Sequence, residues 1–156
     1  MTRVPGVDEV VPVPAASVLL LCDAPLQVLM MRRHAKSSFM PNVWVFPGGA
    51  VEEMDKSLGG GTLLGTMRIT GARETFEETG IWLGDAQRRF PSGTSLQELT
   101  RDAPLDPQLL VWTSHWITPV GVPMRFDTWF FLARAGPGAI PPVATQPTSG
   151  AGRFRI

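Results

Sequence analysis

One cysteine among 156 residues excludes an internal disulfide. Cys22 closes an apolar run, so it reads as a buried structural thiol, and a chain without cross-links fits a reducing compartment. Lys and Arg together number 14, as do Asp and Glu, so neither sign is in surplus. That balance argues against a general nucleic-acid surface and against an anionic-membrane surface. No apolar run is long enough to span a bilayer. No charged segment followed by a long apolar stretch opens the chain, so no secretory leader is read there. The expected setting is cytoplasmic. The triplet Gly59-Gly60-Gly61 lacks the Gly-Lys-Ser/Thr ending of a P-loop, which excludes that phosphate cradle.

What is present is one domain's worth of chain, with 44% apolar residues, an ordinary share for a globular protein. Residues 1–14 carry three prolines and no helical period, and read as an extended lead-in. Residues 15–135 hold the domain. Residues 136–156 are rich in Pro and Gly and are expected to be disordered. Ala15–Cys22 and Leu26–Arg32 read as two strands around an Asp23-Ala24-Pro25 turn. Val43–Phe46 is a short strand running into a Pro47-Gly48-Gly49 turn. Leu109–Thr118 and Met124–Ala133 read as an aromatic-rich core hairpin. Arg125 and Asp127 share one face there, and either pair with each other or line a cleft.

The segment Gly71-Ala-Arg-Glu-Thr-Phe-Glu-Glu-Thr-Gly-Ile81 concentrates the chemistry. Residues three and four apart are neighbours on a helix. Glu74 is therefore set beside Glu77 and Glu78, and the three carboxylates are expected to converge on one point. Mutual repulsion raises the cost of ionising them. A hard divalent cation, which takes carboxylate oxygens, relieves it. Arg73 can brace Glu77 four residues on, and Gly80 suits the left-handed cap that ends a helix. The helix is predicted to start near Thr66, a good N-cap residue. The plainer alternative is a solvated acidic face with one ion pair. Beyond it, Ile81–Leu83 reads as a short strand, and Ser95-Leu-Gln-Glu98 is a capping box opening a short helix.

With Gly49 upstream, this pattern resembles the box of the Nudix hydrolase family, G-x5-E-x7-R-E-U-x-E-E-x-G-U, where U is aliphatic. Gly49, Arg73, Glu74, Glu77, Glu78, Gly80 and Ile81 match in type and order. The box glutamate is replaced by Asp55, an insertion around Lys56–Gly65 lengthens the loop, and Thr75 stands at an aliphatic position. The run Trp116-Ile-Thr-Pro119, then Pro123-Met-Arg-Phe-Asp-Thr-Trp-Phe-Phe131, with Phe39-Met-Pro41 upstream, is similar to the branch holding the peroxisomal coenzyme A diphosphatase.

The resemblance implies an α+β fold, an α/β/α sandwich around a mixed sheet, with the C-terminal helix missing or divergent. It implies hydrolysis of a nucleoside diphosphate linked to another moiety, coenzyme A or its esters among the candidates. Glu74, Glu77, Glu78 and the Gly49 carbonyl would hold Mg²⁺ or Mn²⁺. Glu77, Glu78 and Arg73 would be the catalytic set, with Arg73 orienting the glutamates. Asp55 would act through water or by contact with the helix start. The general base stays open between one of these glutamates and a residue on a loop. Arg32, Arg33, Lys36 and Arg125 are the candidate contacts to a nucleotide-type small molecule, and a homodimer is compatible with the pattern. Two other readings stand beside this one: a Nudix-like binding module that has lost catalysis, and a structural domain with an acidic helix.

Overall fold

The computed structural model describes residues 10–23, 25–33, 42–136 and, as backbone, 151–155. Lys36, with the Phe39-Met-Pro41 run, lies outside them. One mixed sheet organises the chain. Strand β1 (Val13–Cys22) is central, and its side chains from Ala15 on are almost all withdrawn from water. It pairs along its full length, in parallel, with β6 (Phe126–Ala135). On its other side lie β2 (Gln27–Arg32) and the short β4 (Gly48–Ala50), both antiparallel. Strand β3 (Trp44–Val45) extends β2, and β5 (Val111–Ile117) forms the far edge next to β6. The Gly-Gly corner is thus a strand rather than a turn. Residues Ala151–Arg155, within the stretch expected to lack order, form β7 and pair with β2. Among the described residues, β6 is followed by this strand rather than by a helix.

Two helices fill the lengthened box loop. Helix α1 (Glu53–Leu58) opens on a capping box between Glu52 and Asp55. Helix α2 (Leu63–Thr79) begins four residues earlier than the sequence suggested, because Thr62 is its N-cap and accepts from Gly65 N at 3.0 Å. The Thr66 hydroxyl, inside the first turn, donates back to the Thr62 carbonyl at 3.0 Å. Gly60 and Gly61, at φ 66° and 74°, make the reversal between the helices, a conformation that costs a larger residue free energy. Gly80 ends α2 in the left-handed region, as expected.

α2 lies across β1 with Gly71 at the crossing. A Cβ at Gly71 would stand 2.9 Å from Val18 Cγ2. Ordinary helix propensity favours Gly→Ala by about 1 kcal/mol. Here overpacking opposes that gain and wins. Gly71→Ala should lower stability by about 1–3 kcal/mol in urea unfolding; a stabilised variant would show that the helix sits higher above the sheet.

Ile81, Trp82 and Leu83 are not a strand. They turn inward, 1%, 0% and 6% exposed, and the Trp82 indole donates to Ala103 O at 2.8 Å. An apolar triplet serves a buried plug as well as a strand. The capping box at Ser95 does open a helix, α3 (Leu96–Asp102), whose Leu99 joins the same core. The hairpin reading holds for β6, where Phe131 is fully buried, but every residue of β5 is exposed.

Candidate functional site

The site is built around Arg73, which α2 carries into the interior, leaving it 4% exposed. A buried guanidinium needs a partner for each donor. Asp55, fully buried on α1, takes two of them: Arg73 Nε donates to Oδ1 at 2.9 Å and one terminal nitrogen to Oδ2 at 3.0 Å. That nitrogen also donates to Ala50 O on β4 at 2.9 Å. The other terminal nitrogen donates to Glu74 Oε1 at 2.8 Å and to Glu77 Oε2 at 3.1 Å. Burial opposes the charge on Arg73, but the bonds to Asp55 and the fields of Glu74 and Asp55 more than offset it, so its pKa rises. Asp55 also accepts from Thr70 Oγ1 at 2.9 Å and from Glu52 N at 2.8 Å. It therefore makes direct, two-point contact with the arginine. The Glu-x-x-Asp spacing of the α1 capping box was the sequence signal for this role.

The glycines of β4 face the glutamates. A Cβ at Gly49 would lie 2.5 Å from Glu74 Oε1, so the Glu74 carboxylate rests directly on that residue. Gly48 N donates to Glu78 Oε2 at 3.0 Å. Glu74 and Glu78 thus form a clasp on the β4 face of α2, and Glu77 shares one Arg73 nitrogen with Glu74. The three do not converge on one point. Among the described residues, no three His, Cys, Asp or Glu side chains are gathered closely enough to hold a metal ion.

The electrostatics nevertheless suit a cation. Burial pushes the Glu74 carboxyl up; Arg73 pulls it down, and Glu77 and Asp55 add repulsion. The Glu78 carboxyl is pushed up to about 7, first by withdrawal from water, against which the Gly48 N–H works, and then by Glu74 and Glu77, partly offset by Arg33. Glu78 as a residue is exposed, so water reaches one side of it and screens part of this effect. Crowded carboxylates that resist ionisation, with oxygen donors only, fit a hard divalent ion such as Mg²⁺ or Mn²⁺.

Of the other candidates, Arg33 follows β2 and its field reaches Glu78. Arg32 is exposed at the end of β2, opposite Trp44. Arg125, the remaining candidate substrate contact, is turned to backbone partners. It is 7% exposed and ties the start of the chain to the β5–β6 connection, donating to Thr118 O at 2.9 Å and Val10 O at 2.8 Å. Nor does it pair with Asp127, which bonds His115 instead. A cleft of about 640 Å³ is lined by Phe76, Glu77, Thr79, Arg89, Phe90 and Ser92.

Residues 11–142 match the NUDIX domain. The chain belongs to the Nudix family. The Putative nudix hydrolase 7 of Caenorhabditis elegans is 37% identical over 133 residues, which cover 76% of this chain and 43% of that protein. The Acyl-coenzyme A diphosphatase NUDT19 of Xenopus laevis is 29% identical, over 68% of this chain and 46% of that protein. The chain therefore spans about half the length of these curated relatives. A crystal structure of a Nudix hydrolase from Alicyclobacillus acidocaldarius superposes with a TM-score of 0.70 at 24% identity, over 92% of this chain and 79% of that one. That likeness shows the fold: an α+β Nudix domain on a mixed sheet. Among the described residues, no helix is long and apolar enough to cross a membrane.

Proposed function

We propose that this Nudix chain hydrolyses the pyrophosphate bond of a nucleoside diphosphate linked to another moiety, with coenzyme A or its acyl esters as the favoured substrates. The observation that carries the reading is the clasp: Glu74 on Gly49, Glu78 on Gly48, and a buried Arg73 holding Glu74 and Glu77 from behind. Coenzyme A is supported by the likeness to the Xenopus laevis diphosphatase and by the run Trp116–Phe131. Glu74, Glu77, Glu78 and the Gly49 carbonyl would hold Mg²⁺ or Mn²⁺ once their side chains close around it, since no three of the described carboxylates are so gathered without it. So held, the ion would polarise the phosphoryl oxygens and acidify an attacking water. Arg73 is a positioning residue. Its guanidinium is fixed by Asp55, so the carboxylates it bonds are placed in advance of substrate. Arg33 and Arg32, at the end of β2, would neutralise the diphosphate, as Lys36 would from outside the described residues.

One finding favours the second reading, a binding module without turnover: the three glutamates do not meet at one point. Product release from coenzyme A, ADP-ribose, NADH and dinucleoside polyphosphates, with and without Mg²⁺ or Mn²⁺, separates the two. Hydrolysis that requires metal, and a kcat lowered at least about 100-fold in Glu77→Gln, are expected for the enzyme. Parental rates in that variant would misplace the site. Binding of these compounds with no turnover under any metal would leave the module.

A further inference from the structure

On the α2 face of the sheet, but across the helix from the clasp, four side chains meet that the proposed chemistry does not use. β5 carries a bulge: Trp112 lies opposite Phe131, whereas Ser114 lies opposite Phe130. Thr113 is the extra residue, and its hydroxyl donates to Phe130 O at 3.0 Å. Without the bulge, Trp112 and Trp116 would share a face, being four apart on one strand. With it, Trp112 is turned to the face of Phe131, the core side under α2. There it stacks on Trp129, with centroids 4.7 Å apart and planes 21° from parallel. Its indole nitrogen donates to Ser114 O at 3.0 Å, which pins the ring. The His115 ring leans on Trp129 at 5.3 Å, and its Nε2 is bonded to Asp127.

Bulges recur where a strand must re-aim a side chain next to a site. Trp112 is 48% exposed while its stacking and its hydrogen bond hold it in place. An indole fixed on one face and open to solvent offers a ready π surface, and base–aromatic stacking needs little else. The neighbouring imidazole has one nitrogen committed to Asp127, which leaves Nδ1 for a second partner. We infer that Trp112, Trp129, His115 and Asp127 form a binding platform for a planar nitrogen heterocycle of purine size. The ring extends the indole stack, and its polar edge meets His115.

The platform is separate from the glutamates. Gly49, Ala16, Trp129 and His115 are successive partners across β4, β1, β6 and β5. Trp129 is thus two strand spacings, about 10 Å, from Gly49. α2 crosses between them, with Gly71 above Ala16, Val18 and Phe131.

Adenosine, which has no phosphate to engage the clasp, is the probe, with calorimetric titration as the readout. Saturable binding is expected in the parent chain and in Glu77→Gln. It should weaken at least tenfold in Trp112→Leu and less in Trp112→Phe, which keeps a ring, and His115→Ala should weaken it as well. Unfolding curves of each variant check that the strand is intact. Equal binding by the parent and Trp112→Leu would overturn the platform, as would loss of binding in Glu77→Gln, which would put the ligand at the clasp. A dimer that dissociates in Trp112→Leu, with no adenosine bound to the parent, would overturn it in favour of a second copy on this face. None of these outcomes depends on turnover, so the hydrolase reading fails or stands separately.

Discussion

Asp55→Ala lowers the unfolding free energy by about 3–5 kcal/mol, the cost of leaving a buried charge without its partner. The carboxylate is 0% exposed and accepts four hydrogen bonds, two of them from Arg73. Its loss strands a guanidinium that is itself almost fully buried, and releases the cap of α1. Asp55→Glu separates charge from fit. It keeps the anion but adds a methylene where no room is left, so overpacking of about 1–3 kcal/mol is expected instead. Denaturant unfolding of the three proteins measures both terms. A change below about 1 kcal/mol in Asp55→Ala would mean that water reaches the pair, and the account of Arg73 as a fixed brace would go with it.

Gly49→Ala and Gly48→Ala should part company, and that contrast is the second large effect. At Gly49 the added Cβ meets the end of one side chain, Glu74 Oε1 at 2.5 Å. A side-chain tip can move, so the fold tolerates the methyl within about 1 kcal/mol. The carboxylate, however, is pushed off its place, and if Glu74 holds the metal as proposed, a displacement near 1 Å costs about 100-fold in rate. At Gly48 the Cβ meets backbone, Ala16 O at 2.4 Å and Ser17 Cα at 2.7 Å. Backbone cannot yield without parting β4 from β1, so stability falls by about 3 kcal/mol. Turnover and melting curves for the two variants are the measurement. Full activity in Gly49→Ala would show that Glu74 does not work from the position it occupies on β4.

How much of this was legible in the residues follows a physical line. Local signals were. Gly80 had to be a left-handed cap, Ser95 and Glu98 had to close on each other, and Ala15–Cys22 had nowhere to go but the middle of a sheet. Each depends on groups only a few positions apart. Where two local answers are equally good, sequence alone does not choose between them: Thr62 and Thr66 both make N-caps, and Ile81–Leu83 suits a strand or a plug. The insertion around Lys56–Gly65 reads as loop because of its glycines, although only Gly60 and Gly61 make the reversal and the flanks are helical.

The spacing of Arg73, Glu74, Glu77 and Glu78 on one helix, with glycines upstream to receive it, is set by the covalent order of the chain. From that alone came the family and the acidic site. Which atoms touch is another matter, because contacts between segments depend on how helices and strands stack, and pattern carries no such distances. Packing made Asp55 the clamp on Arg73, set Glu77 on the same arginine nitrogen as Glu74, withdrew Arg125 to backbone carbonyls, and turned Trp112 by a single extra residue onto Trp129.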